Sequence, residues 1–494
     1  LIGSSSLKKG SKMPSNERLS THSKALKINR DKLVHGTLAE IGAGQETARW
    51  FFRVGGAAST VAKSMSAYDM AVSDAIYGPA EHYVSEARLS AMLDHEYSLL
   101  LDRLDATRGS TTTFFAFANT VTIRSRSRQE DGHGWIGVRF QSQPRGEPSE
   151  IILHVRLLDH ESTHEQEALG IIGINLIYAV FYLRDTPETL MISLLDELTR
   201  KEIEVDAIKF AGPCFAGLDP RLVDLHLAVL GLTDAVMFTA DGEAVSPGEV
   251  LYGKDVLILR GGFRPVTNTM MDMLETGLAQ FALGKPAGHE PVVLMEMSLH
   301  NLTGDSGIDT ADFLARATLL EKLGKRVLLT NIAHFYGVAV YLSHFRVKRI
   351  GMILGLPALA QVFEEKYYTD LQGGILEAFG RLFKFGVEML VYPSLDSKGD
   401  VVSVETLEVA PQLRHLYRHL VENGLIIPIC TYDRSQLGIF PRNVLVMIQK
   451  GDMRWKELVP AEVARLIGER GYFGYQPDSH PLPPGSQTTD SINF

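Results

Sequence analysis

Residues 254–281 read KDVLILRGGFRPVTNTMMDMLETGLAQF, and this stretch has the pattern of a strand, a glycine loop and a helix. The apolar run before the glycines is typical of a strand that is covered on both faces of a parallel sheet. Gly261 and Gly262 allow a tight turn and the close approach of a ligand, and Thr267 or Asn268 can cap the helix that follows. Because the N-terminus of a helix attracts anions, the segment predicts a phosphate site at this loop.

The same alternation continues after the loop. Apolar runs at 292–297, 326–330, 349–354 and 387–393 predict strands, and the segments between them carry apolar residues at helical spacing. Such alternation is typical of a doubly wound, Rossmann-like parallel sheet with right-handed crossovers. We therefore expect residues 251–475 to form an α/β domain of this class.

Periodicity divides the rest of the chain into four segments. Residues 1–30 and 476–494 are polar and lack periodicity, the first of them is basic, and both are expected to be tails. Residues 31–110 have apolar side chains at three- and four-residue spacing, which predicts a helical region. Residues 111–250 first alternate with period two, which predicts an antiparallel meander, and then return to α/β alternation. The expected fold class is therefore α/β, with an α+β region before the C-terminal sheet.

The composition is that of a soluble globular protein. The chain has 494 residues, 45% of them hydrophobic and 22% charged, which is enough for several domains. A net charge of −10 disfavours binding to nucleic acid or to an anionic membrane surface. Cys214 and Cys430 lie far apart, which argues against a disulfide framework, and the apolar run 168–183 is shorter than the roughly 20 residues of a membrane span. We expect a cytoplasmic, bacterial-type soluble protein with no nucleic-acid or membrane partner, whose polar tails join the subunits of a homo-oligomer.

The sequence HESTH at residues 160–164 has the pattern of a zinc-protease motif. On a helix, His160 and His164 would lie one turn apart and could share a metal, with Glu161 as general base. The motif follows the end of a predicted strand, however, and no third ligand follows at helical spacing. We interpret it as a charged helix N-terminus that matches by chance, so His160 and His164 are candidates in a chain for which we expect no metal.

The segment GGFRPVTNTM resembles the first loop of the nucleotidylyltransferase superfamily, in particular of the nicotinate and nicotinamide mononucleotide adenylyltransferases. That loop runs G-G-[ST]-F-D-P-[IV]-H-x-G-H. The matching residues are Gly261, Gly262, Phe263, Pro265 and Val266. The catalytic positions differ, because Thr267 and Met270 stand where the family has its two histidines and Thr269 replaces the glycine between them.

A second resemblance to the same family covers residues 439–473. The family closes with I-S-[ST]-T-x-I-R, a short helix and then L-[VI]-P-x-x-V-x-x-[YF]-I-x-x-x-G-L-Y. The matching residues are Leu458, Val459, Pro460, Val463, Ile467, Gly471 and Phe473. Phe440, Pro441 and Arg442 replace the Ser/Thr cluster, and Leu445 stands where the phosphate-binding arginine belongs.

Together the resemblances imply a nucleotide-binding protein with a degenerate nucleotidylyltransferase-like domain, acting as a sensor or regulator. The implied ligand is ATP or an NAD-related nucleotide, with Mg²⁺. The implied binding residues are Gly261, Gly262, Phe263, Arg264, Pro265, Thr267 and Arg442. Loss of one donor aimed at developing charge costs about 10²–10³ in rate, so adenylyl transfer is expected to be weak or absent.

Two alternatives remain open at this point. Arg260, Arg264 and Arg442 could form a different phosphate cradle, which would make the chain an active nucleotidylyltransferase. Arg264 could instead pair with a nearby carboxylate such as Asp272 or Glu275. The phosphate cradle and this ion pair are given equal weight. A self-assembling scaffold, in which the loop is only a turn, is the third functional hypothesis.

Overall fold

The computed structural model describes residues 18–124, 131–284, 290–304 and 307–476. The helices of these residues are α1 (Thr21–Arg30), α2 (Glu46–Val54), α3 (Met70–Tyr77), α4 (Glu86–Arg108), α5 (Ser162–Tyr182), α6 (Pro187–Ser193), α7 (Pro220–Val229), α8 (Pro247–Leu251), α9 (Asn268–Ala282), α10 (Thr310–Lys322), α11 (Phe335–Ser343), α12 (Leu356–Val362), α13 (Gly374–Phe383), α14 (Arg414–Glu422), α15 (Pro441–Gln449) and α16 (Ala461–Arg470).

The strands of the same residues are β1 (Val34–Ile41), β2 (Val61–Met65), β3 (Thr113–Thr122), β4 (Gly132–Gln141), β5 (Pro148–Leu157), β6 (Ile203–Ala211), β7 (Ala235–Phe238), β8 (Ala244–Val245), β9 (Asp255–Arg260), β10 (Val292–Ser298), β11 (Thr303–Gly304), β12 (Gly307–Ile308), β13 (Arg326–Thr330), β14 (Arg349–Gly355), β15 (Val387–Tyr392), β16 (Ser394–Leu395), β17 (Val401–Val402) and β18 (Ile426–Pro428).

The N-terminal sheet has the strand order β2-β1-β3-β4-β5-β6. Strand β1 is parallel to both β2 and β3, whereas β3 to β6 are antiparallel neighbours. The predicted antiparallel meander is therefore confirmed as β3, β4 and β5. Side chains of β3 alternate between two cores, as the period of two requires: Phe114 joins the core that contains Leu89 of α4, and Phe115 stacks edge-on against Phe181 of α5.

The prediction of a helical region over residues 31–110 is wrong for β1 and β2, which lie inside it. Strand β1 is buried on both faces, so it lacks the polar–apolar alternation that marks a half-buried strand. Its polar residues are satisfied internally; Glu40, for example, accepts hydrogen bonds from the backbone N–H groups of Thr47 and Ala48. The apolar spacing that predicts helices over residues 31–110 thus runs through a segment in which two strands interrupt the helices.

The predicted N-terminal tail also contains a helix. Helix α1 begins at Thr21, and Lys24 within it is 1% exposed and donates to Asp196 and Asn175. The buried Lys24 thus anchors α1 to Asn175 of α5 and to Asp196. Residues 21–30 are therefore not a tail. Residues 1–17 and 477–494 of the two predicted tails lie outside the described residues.

The C-terminal sheet has the strand order β18-β15-β14-β9-β10-β13-β7-β8. The strands from β18 to β13 are all parallel, and β7 and β8 continue the sheet in antiparallel fashion. Read from β9, the parallel part has the order 3-2-1-4-5-6 of dinucleotide-binding sheets. The expected doubly wound α/β sheet is confirmed. Because β7 pairs with β13, the sheet extends beyond the expected limits of 251–475.

The two sheets meet along their edge strands. The backbone N–H of Val205 in β6 donates to the carbonyl oxygen of Leu232, and the hydroxyl of Thr233 donates to Glu204 Oε1 at 2.6 Å. This junction brings β4 and β5 close to α8 and to the end of α11. Within the described residues, no helix has both the length and the apolar character to cross a membrane.

Candidate functional site

The glycine loop, residues 261–267, connects β9 to α9 as the sequence predicts. Phe263 is fully buried and has a positive φ of 49°, a backbone conformation that is uncommon outside glycine. A Cβ placed on Gly261 would lie 3.1 Å from the ring of Phe263, whereas a Cβ on Gly262 would meet nothing within 4 Å. Gly261 therefore makes room for a side chain of its own loop. Thr267 is fully buried and caps α9, because its hydroxyl accepts from the N–H of Met270.

The N-terminus of α9 contacts the C-terminal segment of the chain. The backbone N–H of Asn268 donates to the carbonyl oxygen of Leu458 at 3.0 Å, and its side-chain amide donates to the carbonyl oxygen of Glu457 at 2.9 Å. The hydroxyl of Thr269 donates to the carbonyl oxygen of Gln436 at 2.7 Å. Main-chain carbonyl oxygens therefore occupy donors that a phosphate would use, and the phosphate site on this helix stays a prediction.

Arg264 is held by an ion pair at the edge of the loop. Its Nε lies 2.6 Å from Asp312 Oδ1, and Asp312 also pairs with Arg316 on the same helix. Arg316 is 3% exposed and donates from Nη1 to the carbonyl oxygen of Gly262 at 2.9 Å. This cluster ties α10 to the loop, and burial lowers the pKa of the Arg316 guanidinium while Asp312 opposes that shift.

The interpretation of Arg264 as one half of an ion pair is therefore confirmed, but with a different partner. Asp272 accepts from the hydroxyl of Tyr392 and from the N–H of Asp433 instead. Asp312 lies on α10, and nothing in the sequence near the loop indicates that this helix packs beside it. The partner is set by the tertiary fold.

Arg260 also faces a carboxylate. Its Nε lies 2.8 Å from Glu296 Oε2, and its Nη1 donates to the carbonyl oxygen of Ala333 at 3.0 Å. Glu296 is fully buried and accepts from the hydroxyl of Thr330 at 2.5 Å. Burial raises the pKa of Glu296, while Arg260 and Thr330 act in the opposite direction. Two of the three arginines proposed as a phosphate cradle are thus engaged within the fold.

A crevice of about 470 Å³ lies beyond the carboxyl ends of β9, β10, β13 and β14. It includes the point where the strand order reverses, between β9 and β14, which is where open α/β sheets bind their ligands. Its polar wall contains Arg260, Ser298 and His300, and the backbone approaches it at Gly261 and Gly355. We call this space the crevice.

Aromatic side chains form the opposite wall of the crevice. His334, Tyr367 and Tyr368 line the crevice. Tyr336, which is outside the lining, stacks on His334 with ring centroids 5.5 Å apart and an interplanar angle of 11°. Burial, together with the charge of Arg260, lowers the pKa of His334, so its ring stays neutral near neutral pH. Tyr367 is 44% exposed and presents its ring at the mouth. Neutral rings at a strand-end crevice can stack on a planar ligand.

The predicted binding residues are only partly brought together. Gly261 lines the crevice, whereas Phe263 and Thr267 are buried in the loop and Arg264 faces α10. Arg442 is exposed at the start of α15 and forms no ion pair within the described ranges. The binding role of these residues, and of Gly262 and Pro265, stays a prediction.

Sequence reasoning missed the aromatic wall and the polar residues of the crevice. Ser298 ends β10, His300 follows it, and His334 follows β13, so all three stand at or just after the end of a correctly predicted strand. The rule that ligands bind beyond the carboxyl ends of parallel strands could have found them. Tyr367 precedes α13 in a short turn and carried no such signal.

The HESTH segment does not have the geometry of a metal motif. Helix α5 begins at Ser162, so His160 precedes the helix and the two histidines are not one helical turn apart. His164 Nδ1 lies 3.3 Å from Asp159 Oδ1, and this contact raises the pKa of His164. Within the described residues, no group of three His, Cys, Asp or Glu side chains could hold a metal ion.

Comparison with known proteins gives similarity to solved structures alone. No protein-family model matches the chain, and no curated protein matches it. The competence/damage inducible protein CihA from Agrobacterium tumefaciens is 16% identical with a TM-score of 0.23, over 32% of this chain and 94% of that one. A CinA superfamily protein from Enterobacter cloacae is 11% identical with a TM-score of 0.24, over 35% and 99%. The nicotinic acid mononucleotide adenylyltransferase of Plasmodium falciparum, complexed with APC, is 10% identical with a TM-score of 0.28, over 46% of this chain and 100% of that one.

Proposed function

We propose that the chain binds a nucleotide, such as ATP or an NAD-related nucleotide, in the crevice and acts as a sensor or regulator with weak or no adenylyl transfer. The observation that carries the proposal is the position of the aromatic wall. His334, Tyr367 and Tyr368 line the crevice beyond the carboxyl ends of a 3-2-1-4-5-6 parallel sheet, next to the reversal of strand order.

The aromatic wall would hold the base. Stacking of a base on an aromatic side chain contributes about 1–3 kcal/mol and tolerates different bases. The polar wall would face the ribose and phosphates, because Ser298 and His300 carry donors and the backbone at Gly261 and Gly355 allows close approach. This division of the crevice into a ring-lined side and a donor-lined side suits a nucleotide better than a purely apolar ligand.

The contacts that the loop residues already make within the fold are the reason to expect weak adenylyl transfer. The hydroxyl of Thr267 caps α9, Met270 has no charge to offer, and Arg260 and Arg264 each pair with a carboxylate. Charge that develops on a transferred phosphoryl group therefore lacks preorganised cations at the loop.

The carboxylates next to the loop do not suit a protein-held magnesium ion. Glu296 and Asp312 both face guanidinium groups, so neither is available as a hard oxygen ligand. Mg²⁺ would enter with the phosphates of the nucleotide, and its role would be to screen their charge.

Calorimetry of the full chain with ATP, NAD and mononucleotides tests the proposal. We expect binding of at least one of them at micromolar to millimolar concentration, and Tyr367→Ala should weaken it about tenfold, since about 1.4 kcal/mol of stacking is lost. Tyr68→Ala is the matched control, because Tyr68 is 63% exposed and lies beside the N-terminal sheet. Absence of binding at millimolar ligand, or equal effects of the two variants, would refute the proposal.

A pyrophosphate-release assay with ATP and a mononucleotide separates a sensor from an enzyme. We expect release no faster than without protein. Rapid release that disappears in Arg264→Ala would instead show an active nucleotidylyltransferase with new phosphate contacts.

A further inference from the structure

A second cavity, of about 390 Å³, lies at the junction of the two sheets. Its walls come from β4 and β5 on one side, and from α8 and the turn after α11 on the other. We call it the junction cavity. Its volume falls in the range of small-molecule sites, and it is separate from the crevice in its lining residues.

A histidine in the wall of the junction cavity is oriented by a buried carboxylate. His154 Nδ1 lies 2.5 Å from Asp206 Oδ1, and both side chains are at most 5% exposed. With Nδ1 facing the carboxylate, Nε2 of His154 points the other way and lies 3.4 Å from Nδ1 of His133. His133 lines the cavity and is exposed. A fixed inner imidazole thus holds an outer imidazole at the cavity surface.

Arg156 adds a buried guanidinium to the same wall. It is 7% exposed, its Nη1 donates to Glu204 at 2.8 Å, and its plane lies over the ring of Phe345 with the centroid 5.0 Å away. Glu204 is shared, because Arg200 also contacts it at 3.2 Å. The guanidinium is therefore rigidly placed, but its carboxylate serves two cations.

The second carboxylate near Arg156 is shared as well. Asp131 lies 3.5 Å from Arg156 and 2.6 Å from Arg124. Arg156 therefore has Glu204, Asp131 and the buried Asp206 around it, and the other partner of Arg200, Asp234, is largely exposed to solvent. These carboxylates keep the guanidinium of Arg156 charged and fixed at the cavity wall.

Ser246 supplies a hydroxyl without a protein partner. It is 1% exposed, lines the junction cavity, and within the described part of the chain its Oγ accepts and donates no hydrogen bond. Its Oγ lies 3.7 Å from the position of a Cβ on Gly248, which also lines the cavity. Buried hydroxyls are almost always hydrogen-bonded, so a buried one that lines a cavity points to a polar ligand.

From these features we infer that the junction cavity binds a small molecule through an anionic group, a phosphate or a carboxylate, held by Arg156, His133 and Ser246. Each of the three supplies an N–H or O–H donor, and an anion that accepts from all three satisfies the hydroxyl of Ser246. Because the donors of Arg156 and His133 belong to the N-terminal sheet and Ser246 belongs to the other side of the junction, a bound anion also links the two sheets.

Two carboxylates line this cavity, and one of them, Asp131, is paired with Arg124 and Arg156. Glu249 lies on the cavity wall and is exposed. Its charge repels an anion through solvent, so the repulsion is weak and screened by salt. Removal of the Glu249 charge should therefore strengthen anion binding, whereas substitution of the donor residues should weaken it.

Calorimetric titration of the full chain with inorganic phosphate, and separately with acetate, tests the inference at constant ionic strength. We expect millimolar binding of at least one ion. Ser246→Ala and His133→Gln should each weaken it about tenfold, as loss of a hydrogen bond to a charged group does. Glu249→Gln should tighten it about two- to threefold. Phosphate binding without acetate binding identifies a phosphoryl ligand, and the reverse identifies a carboxylate ligand.

Control variants distinguish a loss of anion binding at the junction cavity from a loss of folding and from a change in the crevice. His415→Gln replaces an exposed histidine of α14 that does not line the cavity, and it should leave the affinity unchanged. Thermal unfolding without added anion should show that Ser246→Ala is no less stable than the parent chain, since it removes an unpartnered buried hydroxyl. Tyr367→Ala, which alters the crevice, should not change phosphate affinity. Failure of both ions to bind at millimolar concentration, or equal binding by the parent chain, Ser246→Ala and His133→Gln, would overturn the inference.

Discussion

The glycine loop and the junction cavity both hold paired guanidinium groups, but they differ in a buried hydroxyl. At the loop, Arg260 faces the fully buried Glu296, and Arg264 and Arg316 share Asp312. At the cavity, carboxylates are likewise shared between guanidinium groups, but the buried hydroxyl of Ser246 has no partner within the described residues. The polar groups of the loop therefore stabilise the fold, whereas the cavity retains a donor for a ligand.

The difference teaches that positive residues next to a glycine loop do not by themselves make a phosphate site. What matters is whether a donor remains that no acceptor of the protein already occupies. Three substitutions test this difference. They are described from the largest expected change in unfolding free energy to the smallest.

Glu296→Ala should have the largest effect on stability. It leaves the nearly buried guanidinium of Arg260 without its carboxylate, which costs about 3–5 kcal/mol of unfolding free energy when a buried pair is broken. Urea unfolding followed by circular dichroism measures this change. Glu462→Ala, which breaks the exposed pair with Arg465, should cost no more than about 0.5 kcal/mol. Similar costs for the two variants would mean that the loop pair is not structural.

Asp224→Asn tests a buried carboxylate that has no hydrogen-bond partner among the described residues. Asp224 in α7 is 1% exposed, and among the described residues neither of its carboxylate oxygens has a hydrogen-bond partner. Burial raises its pKa well above the usual 3.8, so the folded chain keeps this proton to higher pH than the unfolded chain does. The unfolding free energy of the parent chain therefore falls as the pH rises from 3.8 through the folded-state pKa.

Asparagine carries no proton to lose, so Asp224→Asn should gain stability over the parent chain across that pH window. The gain is about 1.4 kcal/mol for each unit by which the folded-state pKa is raised. Urea unfolding at a series of pH values measures it, with the exposed Asp241→Asn as the control that should show no such gain. A constant difference between Asp224→Asn and the parent chain at all pH values would show that Asp224 is ionised in the fold.

Thr267→Ala should have the smallest effect of the three. Loss of a capping hydroxyl at the N-terminus of α9 costs about 1 kcal/mol of unfolding free energy. Thr267→Ser keeps the hydroxyl, so the difference between the two variants isolates the cap. If the hydroxyl instead served a nucleotide, the alanine variant would lose nucleotide affinity and keep its stability, which would remove the contrast between loop and cavity.

The C-terminal sheet was predictable because its strands are continuous apolar runs separated by helical periodicity. Strand β13 was predicted at its observed bounds, and the strand–loop–helix at residues 254–281 was confirmed. The parallel strands β1 and β2 were not predictable in this way, since β1 buries polar residues whose partners are far away in the sequence; Glu40, for instance, accepts from Asn119.

The candidate site was less predictable than the fold. Gly261 lines the crevice and its binding role stays a prediction, whereas the partners of Arg260 and Arg264 come from β10 and α10, which no local pattern connects to the loop. The junction cavity lies between two sheets and depends on how their edge strands meet. Its residues are spread over β4, β5, α8 and the end of α11, so sequence spacing carries no sign of it.

The contact between Asn268 and Glu457 has a consequence for the growing chain. Their hydrogen bond spans 189 residues, a length that a ribosome adds in about 10–40 s at usual rates of elongation. During that interval the N-terminus of α9 lacks the carbonyl oxygens of Glu457 and Leu458 that it contacts in the finished protein. The glycine loop is therefore completed late in translation, and a nascent chain that stalls before residue 457 presents this helix end to chaperones and proteases.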